Sequence, residues 1–160
     1  MTVTPVPAAP GYVELDVTSN FSFLRGASHP EELVATAAAL GHRAAAIADR
    51  NTLAGVVRAH VAAKEAGLKL VVGARLALED GPSLLCFPQD RTAYGRLSRL
   101  LSAGQRRTRK GACQLFLADL DALGTGQSVV VLPPGIPEPG DQCLRQRAER
   151  RAGCLSIVGV

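Results

Sequence analysis

Apolar and polar residues alternate along residues 12–132 in blocks whose lengths are typical of an α/β fold. Short apolar runs predict strands at 12–17, 44–47, 69–73, 76–78, 83–87 and 129–132. Longer segments, with apolar residues three or four positions apart, predict helices at 29–40, 53–66 and 90–102, and a short helix that begins at 117. The strand–helix order up to residue 75 indicates parallel βαβ units.

Local signals at the ends of these segments refine the pattern. Ser28 is the predicted N-cap of the first helix, with Pro30 in its first turn and Glu31 three residues on as the partner of a capping box. The segment 79–81 predicts a tight hairpin turn, and Asp90 is a predicted cap. The helical spacing places five side chains in the predicted core: Val57, Val61, Tyr94, Leu97 and Leu101.

The two ends of the chain differ from its middle. Residues 1–11 contain three prolines among small residues and predict a flexible leader, whereas 12–132 form the predicted domain. Residues 133–160 are proline-rich, then arginine-rich, and end on a short apolar run. A complete domain rarely ends in this way, so we interpret 133–160 as an atypical tail, disordered or outside the pattern of the domain. Either the chain is a fragment, or its reading frame changes near residues 135–140.

Composition narrows the class of protein. The 160 residues are 47% hydrophobic and only 4% aromatic, which favours helices packed on a sheet in a single domain. The net charge of +4 permits a nucleic-acid partner without requiring one. No apolar run is long enough to span a membrane and no secretory leader is evident, so we expect a cytoplasmic protein. The four cysteines lack zinc-site spacing, and Cys86 is expected to be a small buried apolar residue.

Three kinds of polar residue are candidates for function. The segments 16–22 and 48–51 follow strands, and the carboxyl ends of parallel strands are where functional residues usually lie. A basic loop at 105–111 is the best nucleic-acid candidate, through Arg106, Arg107, Arg109 and Lys110. Ser22 has no His–Asp partner placed to activate it, and the three histidines (His29, His42 and His60) lack metal-site spacing, so we assign structural or surface roles to these residues.

Three segments carry a resemblance to a known family: YVELDVTSNFSFLRGASHPEELV, IADRNTLAGVVRAHVAAKEAGLKLVVGARL and GPSLLCFPQDRTAYGRLSRLLSAGQRRTRKG. Over residues 12–120 the chain resembles the N-terminal polymerase-and-histidinol-phosphatase (PHP) domain of bacterial C-family DNA polymerases, and most of all their error-prone alpha subunits. The resemblance implies an α/β fold that forms part of a PHP-type distorted seven-stranded β/α barrel, incomplete at the C-terminus.

Active members of this family bind up to three metal ions and hydrolyse phosphoesters, in some polymerases as a proofreading exonuclease. The family's first pair of histidines falls on Asp16 and Thr18 here, and its Thr-Asp-His turn reads Ala48-Asp49-Arg50. A later acidic ligand falls on Arg75. Asp16 and Asp49 are therefore the remaining candidate metal ligands, and we assign no catalytic residue.

Arg50 and Arg75 disfavour a metal more strongly than the missing ligands do. Two unit charges about 4 Å apart interact by about 4 kcal/mol at an effective dielectric constant of about 20, and a divalent ion doubles that repulsion. We expect no cofactor, with residual Mn, Zn or Mg binding as the alternative. Without a metal, Asp49 is expected to cap a loop or to pair with Arg50 or Arg75.

The leading hypothesis is a structural domain of an error-prone DNA polymerase that serves translesion synthesis and DNA repair. Its partners would be the remainder of the alpha subunit or other translesion-synthesis proteins, with DNA as a further possibility and no membrane. One alternative is a metal-dependent phosphoesterase or exonuclease that uses Asp16 and Asp49. The other is a binding module that docks DNA or a polymerase partner through residues 104–111.

Overall fold

The computed structural model describes residues 11–132 and the backbone of 156–157. Its strands are β1 (Val13–Val17), β2 (Ala44–Arg50), β3 (Lys69–Leu76), β4 (Ser83–Pro88), β5 (Gln127–Leu132) and β6 (Ser156–Ile157). Its helices are α1 (Pro30–Ala39), α2 (Val56–Ala66) and α3 (Arg91–Arg106), with a 3-10 helix at Leu117–Leu123. The predicted leader, and the predicted tail apart from the backbone of β6, lie outside the described residues.

The strands form one sheet in the order of the chain. β1, β2 and β3 are parallel, as the predicted βαβ units require, whereas β4 is antiparallel to both β3 and β5. β6 pairs with β5 in parallel, so part of the terminal apolar run forms a strand of the sheet. The five longer strands curl into a half-barrel, which confirms the predicted α/β fold and the partial PHP-type barrel.

Each face of the sheet carries its own apolar core. Ile47 of β2 packs with Val34, Ala59 and Ala63 of the first two helices. Side chains of α3 pack on the same face of β3, where Ala74 is the register partner of Asp49. The opposite, inner face is lined by Ala46, Ala48, Leu85, Phe87 and Val130. The alternation of β2 therefore sends residues 46, 48 and 50 to the inner face and residues 47 and 49 to the helices.

The predicted core was wrong for three of its five residues. Val57 is 72% exposed, and Val61 and Tyr94 are also exposed, whereas Leu97 and Leu101 are buried as predicted. α2 turns Val56, Ala59 and Ala63 toward the sheet instead. Two stripes of α2 have apolar spacing, and the stripe with two alanines allows the helix to approach the sheet closely.

Several predicted boundaries also move. His29, not Ser28, is the N-cap of α1, and its backbone N–H donates to Glu32 Oε2 at 2.8 Å. Asp49 and Arg50 end β2 rather than forming a loop, and Gln105 and Arg106 belong to α3 rather than to the basic loop. The predicted antiparallel hairpin is present, but residues 77–82 connect its strands because Leu78 bridges to Leu115 instead.

Cys86 is fully buried in the cluster beneath α3, as its apolar surroundings predicted. Burial raises the pKa of its thiol to about 12, so it stays protonated at neutral pH. None of the helices in residues 11–132 is both long and apolar enough to cross a membrane.

Candidate functional site

The carboxylate of Asp49 organises the loop that follows β1. Asp49 is 1% exposed, and its two oxygens accept three hydrogen bonds from that loop. The donors are Ser19 N–H (2.8 Å), Ser19 Oγ (2.7 Å) and Ser22 Oγ (2.7 Å). Of the roles expected for Asp49 in the absence of a metal, the structure shows the loop cap, with serines rather than arginines as partners.

The loop between β1 and α1 is pinned on both sides of these serines. Ser22 Oγ accepts from the backbone N–H of Arg50 at 2.9 Å, which joins the loop to the end of β2. Gly26 lies against the loop backbone, where a Cβ would stand 2.2 Å from Ser19 O, so only glycine fits. The structural role expected for Ser22 agrees with these contacts.

Asp16, at the end of β1, forms an ion pair with Arg75 of β3. Both side chains are partly buried. Burial raises the pKa of Asp16, and the nearby Arg75 guanidinium opposes that shift only in part. One of the two arginines expected to repel a metal is therefore held by one of the two candidate ligands.

Asn51 is a structural residue of this edge that the sequence analysis did not single out. Its φ is 53°, in the left-handed region that asparagine tolerates better than most residues. Its backbone N–H donates to Arg75 O at 2.8 Å, and its side-chain Oδ1 accepts from Ala77 N–H at 2.8 Å. Asn51 thereby ties the end of β2 to the end of β3.

Divalent ions take several oxygen or nitrogen ligands at once, and both candidate ligands at this edge already contact other groups of the protein. Asp16 faces an arginine, and Asp49 is saturated by the loop. Within residues 11–132, no group of three or more His, Cys, Asp or Glu residues could hold a metal ion together.

The structure separates the four cations of the predicted basic loop. Arg107, the C-cap of α3, makes two hydrogen bonds to the Asp119 carboxylate, one of them 2.7 Å from Nη2 to Oδ1. Its guanidinium also lies 5.9 Å from the centre of the Phe116 ring. The hydrogen bonds from Arg107 hold the pKa of Asp119 below its ordinary value. Arg107 therefore stabilises the fold, whereas Arg109 and Lys110 line a cleft.

This cleft, which we call the basic cleft, has a volume of about 630 Å³. It lies between the loop after β1, the end of β2 and the segment after α3. It is lined by Phe21, Ser22, Phe23, Arg50, Asn51, Thr52, Glu79, Gln105, Arg109, Lys110, Gly111, Ala112 and Cys113. The structure thus brings Arg50 from the expected metal edge to the same cleft as Arg109 and Lys110, but Arg106 does not line it.

The fold and this edge of the sheet define the class of protein. The PHP domain family matches residues 14–126, and the chain belongs to that family. The match agrees with the resemblance seen over residues 12–120.

The relatives of the chain narrow its place within the family. It is 52% identical over 147 residues to the error-prone DNA polymerase of Caulobacter vibrioides, covering 91% of this chain and 13% of that protein. It is 59% identical over 119 residues to an error-prone DNA polymerase of Rhodopseudomonas palustris, covering 71% and 10%. Error-prone DNA polymerase 1 of Agrobacterium fabrum is 53% identical over 125 residues. The chain therefore spans only 10–13% of the length of these relatives.

Among solved structures, the chain resembles a putative metal-dependent phosphoesterase from Bifidobacterium adolescentis. The TM-score is 0.59 at 17% identity, and the match covers 96% of this chain and 87% of the other. An amidohydrolase from Chromobacterium violaceum gives a TM-score of 0.51 at 24% identity, covering 59% and 33%. At these identities the two likenesses describe the fold alone.

Proposed function

We propose that this chain is the N-terminal PHP domain of an error-prone DNA polymerase, and that it serves the polymerase structurally without hydrolysing phosphoesters itself. The identity of about half its residues to several such polymerases supports the placement. The partner would be the remainder of the polymerase chain, in the cytoplasm, during translesion synthesis and DNA repair.

The observation that carries the structural role is the use of both candidate ligands within the fold. Asp16 pairs with Arg75, and Asp49 holds Ser19 and Ser22. A metal at Asp16 would have to displace a guanidinium. A metal at Asp49 would cost the loop three hydrogen bonds. The alternative, a metal-dependent phosphoesterase, is supported by the fold that the chain shares with the Bifidobacterium adolescentis protein. The contacts that Asp16 and Asp49 make do not support it.

The structural role can be tested in a complete polymerase. The corresponding segment of the Caulobacter vibrioides protein would be replaced by residues 12–132 of this chain, or deleted. We expect the chimera to keep its solubility, thermal stability and primer extension across a lesion, because an intact domain still packs on the polymerase. We expect the deletion to lose all three. A deletion variant as stable and active as the parent would refute a structural role.

The metal question has a separate test on the chain itself. After dialysis against Mn²⁺ and Zn²⁺, elemental analysis is expected to find far less than one ion per chain. The triple variant Thr18→His, Arg50→His, Arg75→Glu restores the family's ligand type at three positions, and should retain more metal. Its control is Arg99→Glu combined with Lys64→Gln, which removes the same three units of positive charge at exposed positions of α3 and α2. Tight metal in the unaltered chain would favour the phosphoesterase.

A further inference from the structure

We propose that the basic cleft binds single-stranded nucleic acid without a metal ion, through phosphate contacts to Arg50, Arg109 and Lys110 and base stacking on Phe23. This inference goes beyond the structural role proposed above, because it assigns a ligand to a surface that packing within the domain does not use. It rests on the side chains that line the cleft and on the way the fold holds them.

The charge of the cleft suits a phosphate backbone. Three of its lining residues are cations and one, Glu79, is an acid. Arg50, Arg109 and Lys110 are exposed, and none of them makes an ion pair in the part of the chain that the structure describes. Clustered cations bind phosphates and release the counterions condensed on the strand. Gln105 and Thr52 add polar side chains to the lining of the cleft.

Phe23 supplies the aromatic surface that the basic loop lacks in sequence. It is 84% exposed and lines the cleft, although exposing a large apolar side chain to water is unfavourable in free energy. Its neighbour Ser22 is buried and anchored to Asp49, and the backbone N–H groups of Arg25 and Gly26 both donate to Ser22 O. These hydrogen bonds fix the turn that carries the exposed ring. Bases stack on exposed aromatic rings in many proteins that bind single strands.

The charge contribution is tested by fluorescence anisotropy of the full chain with a labelled 12-nucleotide thymidine strand in EDTA. Three phosphate contacts predict a slope of about −2 when the logarithm of the binding constant is plotted against the logarithm of the salt concentration. The variant Arg50→Gln, Arg109→Gln, Lys110→Gln should bring that slope close to zero. Its matched control, Lys64→Gln, Lys69→Gln, Arg91→Gln, removes three exposed cations elsewhere: Arg91 begins α3, about 22 Å from its far end at the cleft. Equal losses of affinity in both triple variants would mean that the strand is attracted only by the net charge of the chain, and would overturn the proposed site.

The stacking contribution is tested at Phe23. Phe23→Leu keeps an apolar side chain but no ring, and should weaken binding about 5- to 100-fold. Phe23→Trp should retain it. Leu24→Ala, at the adjacent exposed position outside the cleft lining, should leave affinity unchanged. Unchanged affinity in Phe23→Leu would refute stacking. Circular dichroism of each variant verifies that the fold is intact.

Four further probes test the class of ligand and the place where it binds. Ribonucleotide and deoxyribonucleotide strands of the same length distinguish RNA from DNA, and both outcomes fit the shared chemistry of the cleft. Tighter binding of duplex DNA than of either single strand would overturn the proposal, as would binding that requires Mn²⁺. Labelling of Cys113, which lines the cleft, should slow when the strand is bound. Unchanged labelling would place the strand elsewhere and contradict the site.

Discussion

At the scale of single residues, the hydrogen bonds of Asp49 join the loop after β1 to the end of β2. Asp49→Ala removes a buried acceptor and leaves three donors of the loop without a partner. We expect the free energy of unfolding to fall by about 3 kcal/mol, because donors to a buried carboxylate lose the most when it is removed. Urea denaturation measures the change, and a loss below about 0.5 kcal/mol would contradict the importance of this network.

Ser22 permits a closely matched comparison. Ser22→Ala should cost about 1–2 kcal/mol, because the Arg50 N–H loses its acceptor and Asp49 loses a donor. Ser28→Ala makes the same change in the same loop, at an exposed residue that does not cap α1. Its unfolding free energy should match that of the unaltered chain. The same urea series compares the two variants, and equal losses would show that the anchor at Ser22 has no special role.

Sequence reasoning reached some of these residue roles and not others. The loop cap by Asp49 could be foreseen, because a carboxylate at a strand end without metal partners usually accepts backbone or hydroxyl donors. The pair of Asp16 with Arg75 could not, since it depends on an irregular register between β1 and β2. Phe23 is a large apolar residue, and such residues are usually buried. Its exposure follows from the turn at Ser22, which no local pattern reveals.

At the scale of elements, β3 and β4 pack closely because of one glycine. A Cβ on Gly73 would stand 2.4 Å from the Phe87 ring. Gly73→Ala should therefore lower the unfolding free energy by about 1–3 kcal/mol, and adding Phe87→Leu should restore part of it. Gly95→Ala, inside α3 with open space around the added methyl group, should instead stabilise by about 0.5–1 kcal/mol. Thermal melts give the sign of each change, and two changes of the same sign would contradict this packing.

The junction between α3 and the 3-10 helix depends on pH through Asp119. Because its pKa is lowered in the folded state, its contribution to stability is full above its unfolded pKa of about 3.9 and is lost as the pH falls through the lower folded value. The stability difference between the unaltered chain and Asp119→Asn should therefore narrow below about pH 4. Asp121→Asn, exposed on the same helix, is the matched control. Urea melts from pH 7 to pH 3 test this, and a constant difference would contradict it.

From β1 to β5 the order and type of the elements were predictable, but β6 and the face that α2 buries were not. Short apolar runs indicate strands, and apolar residues at helical spacing between glycines indicate helices, so both can be recognised in the sequence. In α2, however, Val57 and Val61 form one apolar stripe while Val56, Ala59 and Ala63 form another. Hydrophobicity alone predicts that Val57 and Val61 are buried. The stripe with two alanines is buried instead because the helix lies close to the sheet, and that distance depends on tertiary packing.

At the scale of the whole molecule, the half-barrel brings together charges that lie far apart in the chain. Arg50 and Arg75 are register partners on neighbouring parallel strands, and the basic cleft joins Arg50 to residues 109 and 110. In the sequence, Arg50 and the cations of residues 105–111 lie in polar segments, whereas Arg75 lies between two apolar runs. Only the curvature of the sheet and the length of α3 determine that Arg107 turns back to Asp119 while Arg109 and Lys110 face the cleft.

The Asp16–Arg75 pair has a consequence for the dependence of folding on metal supply. A protein stabilised by a bound ion gains stability in proportion to the logarithm of free metal, and loses it to any chelator. Here the positive partner of Asp16 is encoded in the chain and is present in every copy. We expect the melting temperature to be the same in EDTA and in excess Mn²⁺, and a rise with Mn²⁺ would contradict this. A cell short of metal would then fold this domain as readily as one that is replete.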